Sequence, residues 1–354
     1  MSWQKVKLSD VSVMKRGKYV TRSSTRIGNI PVILGGQEPA YYCDESNHDG
    51  KCIVISRSGA SAGFVSYWDE PIFVSDGFLF EANEKSEIRY LYAYLKSQQH
   101  MLGNMQNGTG IPHVRGEDLK NYEISLPPLP IQQKIADVLG AYDELIENNR
   151  KRIVLLEKMA RELYRERFVR RAVEGVETFA LEKIAKFVRG KVIVKDATNP
   201  GNVPVVAGGL EPAYYHDAAN TDAPVVTVSG SGANAGFARM YFEKVWASDC
   251  SWVDVTTTKY IRFVYCFLKD NDAQLRNAQK GAAQPHVHAK DVNALVVAAY
   301  IEQIAKFEDV VTPVFDEVAN LTLQSRILAR QRDRLLPRLM SGKIDVEKLV
   351  KEGE

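Results

Sequence analysis

"GGQEPAYY" at Gly35–Tyr42 returns as "GGLEPAYY" at Gly208–Tyr215, and "SRSGASAGF" at Ser56–Phe64 returns as "SGSGANAGF" at Ser229–Phe237. Both pairs are displaced by 173 residues, and two such lengths nearly fill the 354-residue chain. Working outward at the same offset, Leu8 matches Leu181 and Arg16-Gly17-Lys18 matches Arg189-Gly190-Lys191. Ser75-Asp76 matches Ser248-Asp249, and Pro112-His113-Val114 matches Pro285-His286-Val287. After a short length change the register resumes, with Asp143-Glu144 against Asp316-Glu317 and Arg161 against Arg334. Chance does not hold one offset over so many stretches. The chain is a tandem duplication, and that reading governs every later one.

Each copy opens with a globular part, residues 1–130 and 172–300. Short β-branched runs such as "KCIVIS", "PIFVSDGFLF", "APVVTVS" and "CSWVDVT" lie between Gly- and Pro-bearing turns and predict strands. "EIRYLYAYLKSQQ" (Glu87–Gln99) and its counterpart "KYIRFVYCFLKDN" carry apolar residues at helical spacing. A long helix closes each copy, over 131–171 and 301–354. The fold class expected is α+β, a strand-rich domain followed by a long helix, twice over.

Apolar residues recur in steps of three and four from Ile131 through Ile135, Val138, Tyr142 and Leu145 to Ile153, Leu156, Ala160 and Leu163. Phe307, Val311, Val314, Val318, Leu321, Leu328, Leu335 and Leu339 do the same in the second copy. Sustained this far, the pattern predicts a coiled-coil seam, the two helices pairing antiparallel with approximate two-fold symmetry. The competing reading is an amphipathic helix lying on the globular core. Asn149, Ser325 and Arg332 are polar seam positions suited to setting register. Gly140 and Pro313 occupy equivalent places, where a bend or restart is expected. A helix of ~40 residues is ~60 Å long, enough to hold two reading heads one DNA turn, ~34 Å, apart.

Composition is ordinary for a globular protein, 45% apolar and 25% charged, which excludes wholesale disorder. No apolar run reaches membrane-spanning length, and "MSWQKVKLSD" lacks the apolar core of a signal peptide. The four cysteines, Cys43, Cys52, Cys250 and Cys266, form no CxxC pair, so a reducing cytoplasm is expected and a zinc site is not. A net charge of +2 announces no nucleic-acid binder, so such a role rests on charge distribution.

The run from Gly108 to Phe168, "GTGIPHVRGEDLKNYEISLPPLPIQQKIADVLGAYDELIENNRKRIVLLEKMARELYRERF", resembles the specificity subunit of a Type I restriction–modification enzyme. It is similar to that family's junction between a target-recognition domain and a conserved helical spacer, "LPPLPIQQKIA" being its most specific part. "AQPHVHAKDVNALVVAAYIEQIAKF" keeps the pattern in weaker form, with Ala298-Ala299-Tyr300 where the first copy has its double proline. The resemblance implies target-recognition domains at 1–130 and 172–300 and spacers at 131–171 and 301–354. It implies a subunit without catalysis or cofactor of its own, reading a bipartite double-stranded DNA sequence. Its implied partners are two methyltransferase subunits that bind S-adenosylmethionine and two restriction and translocation subunits. The same architecture also serves a methylation-only system.

Other motifs point elsewhere and weaken on inspection. Gly59-Ala60-Ser61-Ala62-Gly63 matches the G-x-S-x-G elbow of serine hydrolases, with His113 and Asp76 as potential partners. In the duplicate, Asn234 replaces Ser61 while the glycines persist, which points to backbone shape in a strand-to-strand turn rather than to a nucleophile. Asp118-Leu119-Lys120 fits half a nuclease site, but its copy reads Asp291-Val292-Asn293, and a helix-start aspartate is expected. There is no phosphate-binding G-x-x-x-x-G-K-[ST]. Nor is there an Asn-Pro-Pro-aromatic motif of adenine methyltransferases. His286 and His288 are spaced for a metal, but His113 and Arg115 in the first copy are not.

The cations are unevenly placed. Residues 11–37 hold Lys15, Arg16, Lys18, Arg22 and Arg26 with no Asp or Glu. The matching stretch holds Lys183, Lys186, Arg189, Lys191 and Lys195 against Glu182 and Asp196. A basic face in each domain suits phosphate contact; a solvated loop is the alternative. Residues identical in both copies hold the shared fold or grip phosphate: Tyr41 and Tyr42 with Tyr214 and Tyr215, Ser58 with Ser231, His113 with His286. Residues that differ inside matched loops are candidates for base readout: Gln37 and Leu210, Arg57 and Gly230, Ser61 and Asn234, Arg115 and His288.

Overall fold

The structure is a computed structural model, and it describes residues 3–106, 112–171, 175–277 and 285–346. The first residues of the junction run, 108–111, and those of its weaker copy, 283–284, lie outside the described residues. The chain divides into two compact units, Met1–Glu147 with Ser325–Glu354, and Asn148–Gln324.

The first unit carries a four-stranded antiparallel sheet in the order Ser12–Arg16, Gly77–Ala82, Cys52–Ser56, Val65–Trp68. Beside it in sequence is a three-stranded sheet in which Ile30–Ile33 pairs antiparallel with Tyr41–Cys43 and parallel with Phe73–Val74. Gln4–Lys7 and Glu123–Leu126 form a two-stranded ribbon. The run "CIVIS" is buried at every position, as expected for a strand covered on both faces.

The second unit repeats this topology strand for strand. Its four-stranded sheet runs Val188–Arg189, Cys250–Asp254, Val225–Ser229, Ala238–Tyr241. Val203–Val206 pairs with Tyr214–His216 and Trp246–Ala247, and Thr178–Ala180 pairs with Val296–Ala298. The duplication reaches side-chain bonds. The Asn47 amide donates to Val74 O and accepts from Val74 N, both at 2.8 Å, and Asn220 does the same to Ala247 at 3.0 and 2.7 Å.

Helices Ile88–Ser97 and Ile261–Asp270 appear where their periodicity placed them. Each is pinned at its N-terminus, where backbone N–H groups lack helical partners. Glu87 accepts from Tyr90 N at 2.6 Å, and its own N–H donates to the buried amide oxygen of Gln132 at 2.9 Å. In the second unit, the buried Glu308 carboxylate accepts from Phe263 N at 2.8 Å and Arg262 N at 3.1 Å.

The long helices span Leu129–Arg165 and Ile301–Met340. Neither restarts at Gly140 or Pro313. Pro313 is exposed, so the Asp309 carbonyl that loses its backbone donor lies on the solvent side of one continuous helix. Within the first unit, Asp143 meets Arg332 while Ile131 and Ile135 line a groove with Gly342–Val346, so the two helical segments run antiparallel. Within the second unit, Arg152 meets Glu317 at 2.7 Å while Tyr164 and Phe168 meet Phe307, again antiparallel. The fold is thus α+β, a duplicated strand-rich domain and long helix with antiparallel helix pairing.

The seam departs from its expected membership. Leu145 and Leu163 are 51% and 39% exposed, whereas Tyr164 and Phe168 are buried. The end of the first helix, with its wider turn at Glu166–Arg170, packs Tyr164 and Phe168 against Phe263 as well as Phe307, with ring centroids 5.1–6.0 Å apart. Each helix end therefore serves the domain core as well as the helix pair, combining the two competing readings.

Candidate nucleic-acid interface

In the first unit a cleft of about 710 Å³ gathers Arg16, Arg22, Tyr41, Arg57 and Ser58 around Ser75 and Asp76. Local structure explains the convergence. Arg16 ends its strand, and Gly17 then passes so close to the Ser75 carbonyl that a Cβ would collide with it. The basic loop is tied down by Lys18 N donating to Val74 O at 3.0 Å and Val20 N to Ser75 Oγ at 3.1 Å. Tyr41 donates its hydroxyl to Val20 O at 3.5 Å. Partial burial and the nearby Cys43 raise the pKa of that hydroxyl above its ordinary value.

The glycine loop forms the facing wall. Gly59 and Gly63 have φ of +86° and +84°, and Gly232 and Gly236 have +78° and +86°, values that L side chains rarely adopt. Gly63 N donates to Ser56 O at 2.8 Å and Ser56 N to Phe64 O at 2.9 Å, closing a hairpin into the strand Val65–Trp68. The turn leads into a strand and not a helix, so the hydrolase elbow lacks its required context. Ser61 sits inside this turn, its carbonyl accepting from Phe64 N at 2.9 Å, and Asn234 does likewise from Phe237 N. His113 pairs as a one-residue bridge with Ser58, and His286 with Ser231. These bridges draw the segment before the short helices Gly116–Lys120 and Ala289–Asn293 onto the glycine loop.

Ser58 Oγ donates to Asp76 Oδ2, and Ser231 Oγ to Asp249 Oδ2. The Arg57 guanidinium reaches Asp76 Oδ1 through Nη1 at 3.5 Å. These aspartates were visible in the sequence as a repeated Ser-Asp pair, yet counting cations gives no reason to choose them. Tyr19, 83% exposed in the same cleft, was also missed.

The other candidates spread more widely. Lys15 is paired with Glu81 at 2.7 Å across neighbouring strands and lies outside the cleft lining. Lys18, Arg26, Gln37, Tyr42 and Arg115 are exposed but do not line it. In the second unit Lys186, Arg189, Lys191, Lys195 and Tyr215 are exposed. Lys191 Nζ lies 5.9 Å from the Trp246 ring, and Tyr214 donates its hydroxyl to Ile193 O as Tyr41 does to Val20 O. His288 is exposed before its helix, its N–H donating to Asp291 Oδ2 at 3.1 Å; Asp291 thus caps the helix start. The rings of His286 and His288 stack 6.2 Å apart. The four cysteines are buried and unpaired; burial pushes the thiols of Cys52 and Cys250 up to about 12. No helix among the described residues is long and apolar enough to cross a membrane.

A duplicated α+β scaffold, with a basic loop set against a glycine loop in the first copy and the same loop-tying bonds in the second, is the class of protein that the fold and site define. Residues 1–158 match the family model described as the Type I restriction modification DNA specificity domain. A Type I restriction enzyme specificity subunit, MjaIX, of Methanocaldococcus jannaschii is 25% identical over 84% of this chain and 79% of its own. A putative Type I specificity subunit of Mycoplasma genitalium is 24% identical over 82% of this chain and 80% of its own. The crystal structure of a Type I restriction–modification S subunit from M. genitalium shares the fold, with a TM-score of 0.65, 20% identity and 96% of each chain covered. The chain is thus similar along most of its length to Type I restriction–modification specificity subunits, and its first 158 residues match the DNA specificity domain of that family.

Proposed function

We propose that this chain reads a two-part double-stranded DNA sequence, each globular part contacting one half, and docks methyltransferase subunits on its long helices. The observation that carries this reading is the cleft itself. One set of loops is held by the same bonds in both copies, yet it presents Arg57 in one and Gly230 in the other. Shared scaffold with divergent side chains is what two different half-sites require.

On this reading residues 1–130 and 172–300 are the recognition domains, and 131–171 and 301–354 the spacers. Arg16, Lys18, Arg22 and Arg26, with Arg189, Lys191 and Lys195, contact phosphate; Arg57, Ser61, Asn234, Arg115 and His288 face base edges. The methyl donor, S-adenosylmethionine, is bound by two methyltransferase subunits, and two further subunits supply translocation and cleavage. The complex works in the cytoplasm, beside the DNA it marks.

Methylation mapping of genomic DNA from a strain with and without this gene tests the proposal. A two-part motif, modified only when the gene is present, is the expected result. Identical methylation in both strains would defeat it.

A further inference from the structure

The repeated aspartates meet different neighbours in the two copies. In the first, Asp76 Oδ2 accepts from Ser58 and Oδ1 faces Arg57 Nη1. The Arg57 side chain is 38% exposed and lines the cleft, and its Nε and Nη2 have no protein partner among the described residues. In the second, Asp249 Oδ2 accepts from Ser231 in the same way, but the residue before that serine is Gly230. A Cβ on Gly230 would lie 3.1 Å from Asp249 Oδ1, so this oxygen faces the place where an arginine side chain would begin. Among the described residues no cation pairs with Asp249, which is only partly buried.

Resting on the reading of these loops as DNA-contacting, we infer that Asp76 and Asp249 set base preference in two opposite ways. Asp76 is a positioning residue that holds Arg57 for the acceptor edge of a guanine. Asp249, with glycine in place of that arginine, itself accepts a hydrogen bond from an exocyclic amino group, cytosine N4 or adenine N6.

The chemistry follows from donor and acceptor inventories. An arginine fork matches guanine O6 and N7, both acceptors, and an ionised carboxylate can only accept. A guanidinium already held at one nitrogen loses less side-chain freedom when the remaining nitrogens meet a base. In the first copy the arginine also offsets a carboxylate that would otherwise repel DNA. In the second, no cation among the described residues pairs with Asp249, which meets only the Ser231 hydroxyl and its own loop. Such a group in a DNA interface is tolerable where a base donor meets it and unfavourable everywhere else, which is a source of discrimination. One substitution, arginine to glycine, thus inverts the polarity of the edge read.

The backbone conformation is compatible with the exchange in either direction, although a Cβ on Gly230 would press on both Asp249 O and Asp249 Oδ1 at 3.1 Å, so that loop must give by a few tenths of an ångström. Arg57 N donates to Asp76 O at 3.1 Å and Gly230 N to Asp249 O at 3.1 Å, and neither residue has positive φ. The test maps methylation motifs in cells carrying the complete system with Arg57→Gly, Gly230→Arg, Asp76→Asn or Asp249→Asn. Arg57→Gly and Asp76→Asn should lose guanine preference at the same single base pair of one half-site. Gly230→Arg should turn one cytosine or adenine of the other half-site into a guanine requirement, and Asp249→Asn should relax that same position. Discrimination at the affected pair should change by about 5- to 150-fold, the range of one good base contact. The base recovered in the Asp249 position separates cytosine from adenine.

Unchanged motifs in active variants overturn the inference, as does uniform weakening at every site, which marks a phosphate contact. If thermal melting shows that a variant has not folded, Arg57→Lys decides, since it keeps the charge and loses only the fork. Relaxation at the same base pair supports the inference, and an unchanged motif overturns it. A wild-type gene that confers no two-part motif would defeat the proposed function itself, a result distinct from these.

Discussion

Arg332 Nη1 donates to Asp143 Oδ1 at 2.5 Å, joining the two long helices within the first unit. Partial burial opposes the arginine's charge, but Asp143 and Asp333 outweigh it and hold its pKa above the ordinary value. Arg332 was a polar interruption of the seam in the sequence; here it is a cross-helix tether.

Because both side chains are partly exposed, solvent screening limits the pair to about 0.5–1 kcal/mol. Arg332→Ala and Asp143→Ala should each lower stability by about that amount, and together by less than the sum. Thermal melts of the two single variants and the double variant check this. Strict additivity would mean that the contact contributes nothing.

Gly63 and Gly59 share positive φ but differ in surroundings. A Cβ at Gly63 would come 2.6 Å from the Leu102 carbonyl, whereas one at Gly59 meets nothing within 4 Å. Gly59→Ala should therefore cost only the left-handed backbone penalty, about 1 kcal/mol. Gly63→Ala should cost more, beyond about 3 kcal/mol or a failure to fold. Equal effects in denaturant titrations would show that the glycine loop is not packed as described.

Glu308 carries a pH signature. Burial raises its carboxyl pKa above the ordinary value, opposed by the Phe263 and Arg262 amides and the Arg262 guanidinium. A carboxyl raised on folding favours the fold below its unfolded pKa of about 4.3, and that contribution is lost as pH rises through the folded value. Glu308→Gln removes the ionisation. The stability difference, wild type minus variant, should therefore be more favourable to wild type near pH 4 than near pH 7. Melts across that range decide it, and a difference independent of pH would refute the shift.

Much of this was legible because a repeat doubles every signal. The persistence of Gly59 and Gly63 as Gly232 and Gly236 identified a backbone turn, and the hairpins confirm it. Other features depend on partners that local patterns do not show. Lys15 counted as a cation of the basic loop, but its strand neighbour Glu81, 66 residues away, neutralises it. The seam drifted from Leu163 to Tyr164 and Phe168 because the helix end must also satisfy Phe263. Asp76 and Asp249 stood out in the sequence only as a repeated Ser-Asp pair, since their bonds to Ser58 and Ser231, and that of Asp76 to Arg57, join residues 18 or 19 positions apart.

If each globular part reads one half of the target, exchanging one part changes one half of the motif. Replacing residues 178–298 with residues 5–125 gives a chain with the first reader twice and its own second spacer. Methylation mapping in cells carrying the complete system reads the outcome. One half of the original motif should be retained and the other replaced by the same bases. An unchanged motif, or new bases in both halves, would contradict it.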